Sequence, residues 1–276
     1  MQRYSFGIFL FILLFISCKK EQPETNNQWK LNDTDFQRLL ELSDSSTLTD
    51  LNEAGERLAE IQDIFSYIED RRGTYTTILK AITNYAISSF EIEGYENTDL
   101  MKSFYMDFVA RYLGTLHEHL LGNKLEYHWD TFYRYAKVEH NVSRLVLEGI
   151  NAHFTIDMAR SVAKFGINKT NRADWDKFGN ETIDAVSSFT DELYVEYEVN
   201  AEDVFKLFFI GDLINDLLGE GSATKFGYQI LRNEALSNGI LLQLSAGSGN
   251  VERNMQVAFM QTDNAIMGLD KLQMLP

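Results

Sequence analysis

The two prolines of this chain stand at positions 23 and 276, and none interrupts the stretch between them. A fold built on many tight turns draws on proline for them, whereas helices exclude it from their interiors. Over the same stretch apolar residues recur at steps of three and four. Leu51, Ala54, Leu58, Ile61, Phe65 and Ile68 make one such series; Leu100, Phe104, Phe108, Tyr112, Leu116 and His119 make another. Residues so spaced share one face of a helix. Hydrophobic residues are 45% of the chain and aromatics 13%, enough to fill a core. There is no internal repeat and no alternating pattern of a strand. The expectation is an all-α fold, a single bundle of about seven or eight helices over residues 34–276.

Local signals divide that body. Arg71-Arg72-Gly73 closes the first series, with Gly73 read as the helix cap. Gly94 to Asn97 reads as a loop, and Asn97 or Thr98 caps the helix after it. Trp129 to Lys137 is a short aromatic helix. The helix containing Leu147 to Ala159 ends near Gly166. Asn171 to Tyr197, Ala201 to Leu218, Lys225 to Leu244 and Val251 to Leu272 complete the series. The joints Gly219-Glu220-Gly221 and Ser245 to Gly249 are turns between helices; they come after no strand, which argues against a phosphate-binding loop.

The N-terminus reads as an address. Arg3 precedes an apolar run from Phe6 to Ile16, then Ser17 and Cys18. The run falls short of the roughly 20 apolar residues of a membrane span and has the order of a secretory signal. Residues 1–17 are expected to be the signal peptide. Residues 18–33, polar and holding Pro23, are expected to be a flexible tether that starts at Cys18. Cys18 is the single cysteine, so no internal disulfide and no four-cysteine zinc site can form. The formal net charge of −16 repels nucleic acid and argues against it as a partner.

The chemically able residues gather in Leu147 to Ala159. His153 and Asp157 are four apart and share a helical face. Gly149, a turn back on that face, admits a neighbouring helix. Asn151 is placed to hydrogen-bond a crossing helix, and Arg111 or Arg144 to complete the network. His153 and Asp157 are candidate ligands of a divalent metal such as zinc, or a base and its orienting carboxylate. Asp107, Glu148, His128 and Asp130 are candidates for a third ligand. Their other reading is a buried pair that satisfies itself. Tyr105, Tyr112, Trp129 and Tyr133 are placed either in the core or along a cleft for an apolar or cationic small molecule. His117 and His119 do not converge as metal ligands; they read as a helix end, where a cationic His suits the dipole.

These residues carry two resemblances. Phe15-Ile16-Ser17-Cys18 resembles the lipobox of bacterial lipoproteins, with Phe15 where Leu is usual. That implies cleavage before Cys18, lipidation of its thiol and anchoring at the outer membrane. Loss of Arg3 with the signal takes the formal charge from −16 to −17. Gly149-Ile150-Asn151-Ala152-His153 with Asp157 resembles the signature of a bacterial helical family catalogued only as a domain of unknown function. Phe108, Arg111, Tyr112, Leu113, Trp129 and Asp174-Trp175 fit its lesser positions; Gly179 stands where that family carries Asn. The likeness spans roughly residues 55 to 245 and implies a helical fold without an established activity. The His-x-x-x-Asp helix alone is similar to that of zinc-dependent phospholipase C, which implies a metal-dependent hydrolase of a phosphoester or lipid ester. The functional readings are thus a lipid-anchored envelope protein with a structural His153–Asp157 centre, such a hydrolase, or a small-molecule binding module.

Overall fold

A computed structural model describes residues 31–137, 141–208, 222–244 and 249–276. The signal, Cys18, nearly all of the tether, His140, the Gly219–Gly221 turn and residues 245–248 lie outside the described residues. Among the described residues every regular element is helical. They run α1 Asp33–Ser43, α2 Leu51–Tyr67, α3 Gly73–Glu91, α4 Thr98–Leu120, α5 Tyr127–Ala136, α6 Val142–Ala152, a π turn His153–Asp157, α7 Met158–Lys164, α8 Arg172–Thr182, α9 Ala185–Tyr197, α10 Ala201–Phe208, α11 Ser222–Leu244 and α12 Gly249–Lys271. The all-α bundle expected from the sequence is present. Its segments outnumber seven or eight partly because Asn171 to Tyr197 divides at Ile183–Asp184. None of these helices is long and apolar enough to cross a membrane.

Caps fix where the helices begin. Asn32, Asp50 and Asn97 each accept a backbone N–H from the third residue on, at 2.9, 2.9 and 3.0 Å. Asp174 of α8 accepts the backbone N–H groups of Glu96 and Asn97 at 2.7 and 2.8 Å, tying the start of α4 to α8. The end of α2 departs from expectation. Gly73 is the first residue of α3, not a cap. Glu69 takes the left-handed turn at φ +55, and Asp70 and Arg72 pair at 2.6 Å, both buried. A Cβ on Gly73 would stand 2.7 Å from Phe65 Cβ and collide with the Tyr197 hydroxyl. The glycine is needed for close approach.

α3 runs through the centre. Tyr75, Ile78, Leu79, Ile82 and Ala86 are buried, and so are Thr74, Thr76, Thr77 and Thr83. A helix buried on most sides accepts threonines only if each hydroxyl is paired. Thr77 and Thr83 bond the carbonyls of Gly73 and Leu79, and Thr76 bonds the Tyr112 hydroxyl. Around α3 pack α2, α4, α6, α8 and α9, while α7 lies along α11 and α6 along α5 and α12. At the α7–α11 crossing a Cβ on Gly239 would come within 2.8 Å of the Ala159 carbonyl oxygen.

Candidate functional site

α6, the π turn and α7 are one continuous helix from Val142 to Lys164. In the π turn the Met158 N–H reaches back five residues to the His153 carbonyl. Such wide turns inside α-helices are often found at functional sites. This one lies on the stretch the sequence singles out. His153 Nδ1 stands 2.9 Å from Asp157 Oδ2. Trp129 of α5 donates its indole N–H to the same oxygen at 2.8 Å. His128, beside Trp129, places Nε2 3.5 Å from Asp157 Oδ1. One carboxylate therefore gathers three side chains from two helices, and all four are buried.

The electrostatics fix the protonation states. Burial alone would push the Asp157 carboxyl up, but the contacts from His128 and His153 outweigh it and hold Asp157 well below the usual carboxylate range. Burial pushes His153 down, against the pull of Asp157, so its ring is neutral at pH 7. An ionised carboxylate only accepts hydrogen bonds, so the His153 proton sits on Nδ1 and the lone pair on Nε2. His153 Nε2 is buried and has no hydrogen-bond partner. The ring lies flat on Phe108, centroids 3.7 Å apart, with the Tyr75 edge at 5.4 Å. Tyr75 reaches this position because Gly149 has no side chain; a Cβ there would stand 2.5 Å from Tyr75 Cδ2.

The other named residues divide between this node and separate clusters. Asn151 donates to the Phe259 carbonyl of α12 at 3.1 Å and accepts from Thr155 at 3.0 Å, so it does bond a crossing helix. Arg111 does not join the node: it binds Asp107 at 2.8 Å and Ser161 at 3.0 Å. Burial raises the Asp107 carboxyl, and Lys164, Ser161 and Arg111 more than reverse that. Arg144 pairs with Asp270 at 3.0 Å and stands 3.5 Å from Glu148. Of the four third-ligand candidates, only His128 reaches Asp157; Asp130 is exposed. Among the described residues no three His, Cys, Asp or Glu side chains are grouped as a metal set.

Tyr105, Tyr112, Trp129 and Tyr133 are all buried among one another's neighbours, Tyr112 against Trp129 at 5.5 Å and Trp129 against Tyr133 at 6.2 Å. Their place is the core. A surface groove of about 610 Å³ lies elsewhere, between α1 and α2, lined by Arg38, Glu41, Glu53, Arg57 and Glu60. His117 bonds the Leu40 carbonyl at 3.0 Å. His119 lies flat on Tyr133 at 3.9 Å, and burial, with Arg72 and Lys137 nearby, pushes its ring down to about 3. A neutral His119 offers no cation to the helix dipole, so that expectation fails for it. Sequence reading missed Tyr75, whose signal was Gly149 itself, and Asp263, which has no local signal.

No curated protein and no solved structure matches the chain. The model of a family of unknown function, DUF5995, matches residues 51–235, which hold α2 through α10 and the whole Asp157 node, and the chain belongs to that family.

Proposed function

We propose that this chain is a lipid-anchored protein of the bacterial outer membrane, tethered through Cys18, with a helical body centred on a structural His153–Asp157 pair. The observation that carries the structural role is the Asp157 carboxylate, which takes Trp129 and His153 on one oxygen and faces His128 with the other, under a closed surface. A buried carboxylate so supplied fixes the relative placement of α5 and the α6–α7 helix. His153→Ala or Asp157→Ala strands a buried polar partner and costs about 1–3 kcal/mol. Because the two share one bond, the double substitution costs less than the sum of the singles. Denaturant unfolding of the four proteins measures this. Additive losses would reject the pair as a unit.

One observation favours a second reading, a metal-dependent hydrolase of a phosphoester or lipid ester. His153 Nε2 carries a lone pair with no partner, while Asp157 orients the ring from Nδ1. That is how a carboxylate prepares a histidine to bind zinc. Elemental analysis of the purified chain separates the readings: stoichiometric metal, lost in both His153→Ala and Asp157→Ala, supports the hydrolase, and a metal-free chain with strong coupling supports the structural pair.

A further inference from the structure

α12 lies beyond residues 51–235, the span of the family match, yet it is laid along the helix that carries the node. Its buried residues form one narrow stripe, Met255, Phe259, Asp263 and Ile266. Phe259 sets its ring edge-on to Tyr127 at 5.8 Å and to His128 at 6.1 Å, and its carbonyl receives Asn151. Polar ties flank that contact: Arg160 to Glu252 at 3.0 Å and Arg144 to Asp270 at 3.0 Å. The residue that breaks the apolar stripe is a carboxylic acid, and it meets another acid. Asp263 faces Glu148 of α6, which is 0% exposed. Neither oxygen of Glu148 nor Asp263 Oδ1 has a hydrogen-bond partner. The nearest cation, Arg144 Nε, is 3.5 Å from Glu148 Oε1, and Tyr127 reaches only Asp263 Oδ2, at 3.5 Å. Two buried carboxyls without a donor between them lack one thing, a proton.

We propose that α12 is a releasable cover over the Asp157 node, latched by a proton held between Glu148 and Asp263. With the proton in place one carboxyl donates to the other and the seam is satisfied. Without it two anions face each other in a dry interface, and the inexpensive response is for α12 to lift. The titratable groups acting on Glu148 are Asp263 from α12 and Arg144 from its own helix; Tyr135 of α5, whose ring lies 3.4 Å beneath the Arg144 guanidinium, feels the same charges. Burial, then Asp263, hold the Glu148 carboxyl well above its ordinary value against the pull of Arg144. A carboxyl raised in the docked state binds a proton more tightly there than when released. Docking is therefore strongest in acid and weakens as pH rises from the ordinary glutamate range toward the raised value.

Hydrogen–deuterium exchange on the full chain tests this, with rates corrected for the intrinsic pH dependence of amide exchange. Protection of residues 249–271 is expected to fall as pH rises, by up to about tenfold per pH unit for a one-proton latch, while α3 keeps its protection. Glu148→Gln supplies a permanent donor to Asp263, so its α12 protection is expected to be flat with pH. At pH 8, carbethoxylation of His128 should be faster in the wild type than in Glu148→Gln. Asp263→Asn, which removes the facing anion, serves as the second variant if Glu148→Gln fails to fold, and should also flatten the profile. Protection of α12 that does not change with pH in the wild type would overturn the proposal. So would an unchanged slope in the folded variant, or an α12 that loosens only together with α3.

Discussion

At Asp157 a single side chain settles the state of its neighbours: by remaining ionised it assigns the His153 proton to Nδ1 and takes the Trp129 indole. His119 shows the same logic without a carboxylate. It is stacked on Tyr133 and pushed down to about 3, chiefly by burial. A histidine lowered in the folded state contributes stability that is complete above its unfolded value near 6.5 and is lost as pH falls through the window toward 3. Unfolding free energy should therefore decline over that window, and His119→Phe, which keeps the stack and does not titrate, should make the decline shallower. Equilibrium denaturation at a series of pH values measures both; identical slopes would remove His119 as a cause.

At the level of elements, α3 and α6 meet through Gly149. Replacing a helix-interior glycine by alanine ordinarily gains up to about 1 kcal/mol. Here the new Cβ would lie 2.5 to 2.9 Å from three atoms of Tyr75, which is fully buried between α3 and the node. The clash outweighs the propensity gain, and Gly149→Ala should destabilise by about 1–3 kcal/mol, as a shift of the denaturation midpoint. Much of this layer was legible in the sequence. Apolar residues at steps of three and four marked the helices because each must bury a stripe, and Asn151 in an apolar helix had to find a partner. The cap on α2 misread for a physical reason. Arg71-Arg72-Gly73 has the composition of a helix end, but the positive φ falls on Glu69 because Asp70 folds back to pair with Arg72. Asp263 was illegible since nothing in its own neighbourhood shows that Glu148, far back along the chain, lies opposite. Arg111 illustrates the converse: its charge suited the network around His153 and Asp157, but Asp107 one turn away offered a nearer carboxylate.

For the whole molecule, the reading as an anchored protein rests on one residue. No described helix is long and apolar enough to span a bilayer; in the proposed reading, membrane attachment is through a lipid on Cys18. Cys18→Ala should abolish incorporation of labelled fatty acid and move the protein from the membrane to the soluble fraction; labelling that survives would discard the lipobox reading. The strongly negative net charge, formally −16 for the full sequence, should also keep the released body from binding anionic vesicles, which flotation in a density gradient checks.

The wide turn at His153–Asp157 has a bearing on chain length. One residue advances an α-helix by about 100°, so an extra residue accommodated there rotates everything after it relative to everything before. α6 can aim Asn151 at α12 while α7 aims Val162 at Gly239 of α11 and Ser161 at Arg111. A chain shortened by a single residue in this turn would regain a regular helix and lose that phase offset. Deleting Thr155 should therefore prevent folding, whereas Thr155→Ala, which preserves the count and gives up one hydrogen bond to Asn151, should fold. Circular dichroism of the two proteins would show whether the number of residues in the turn matters more than their identity.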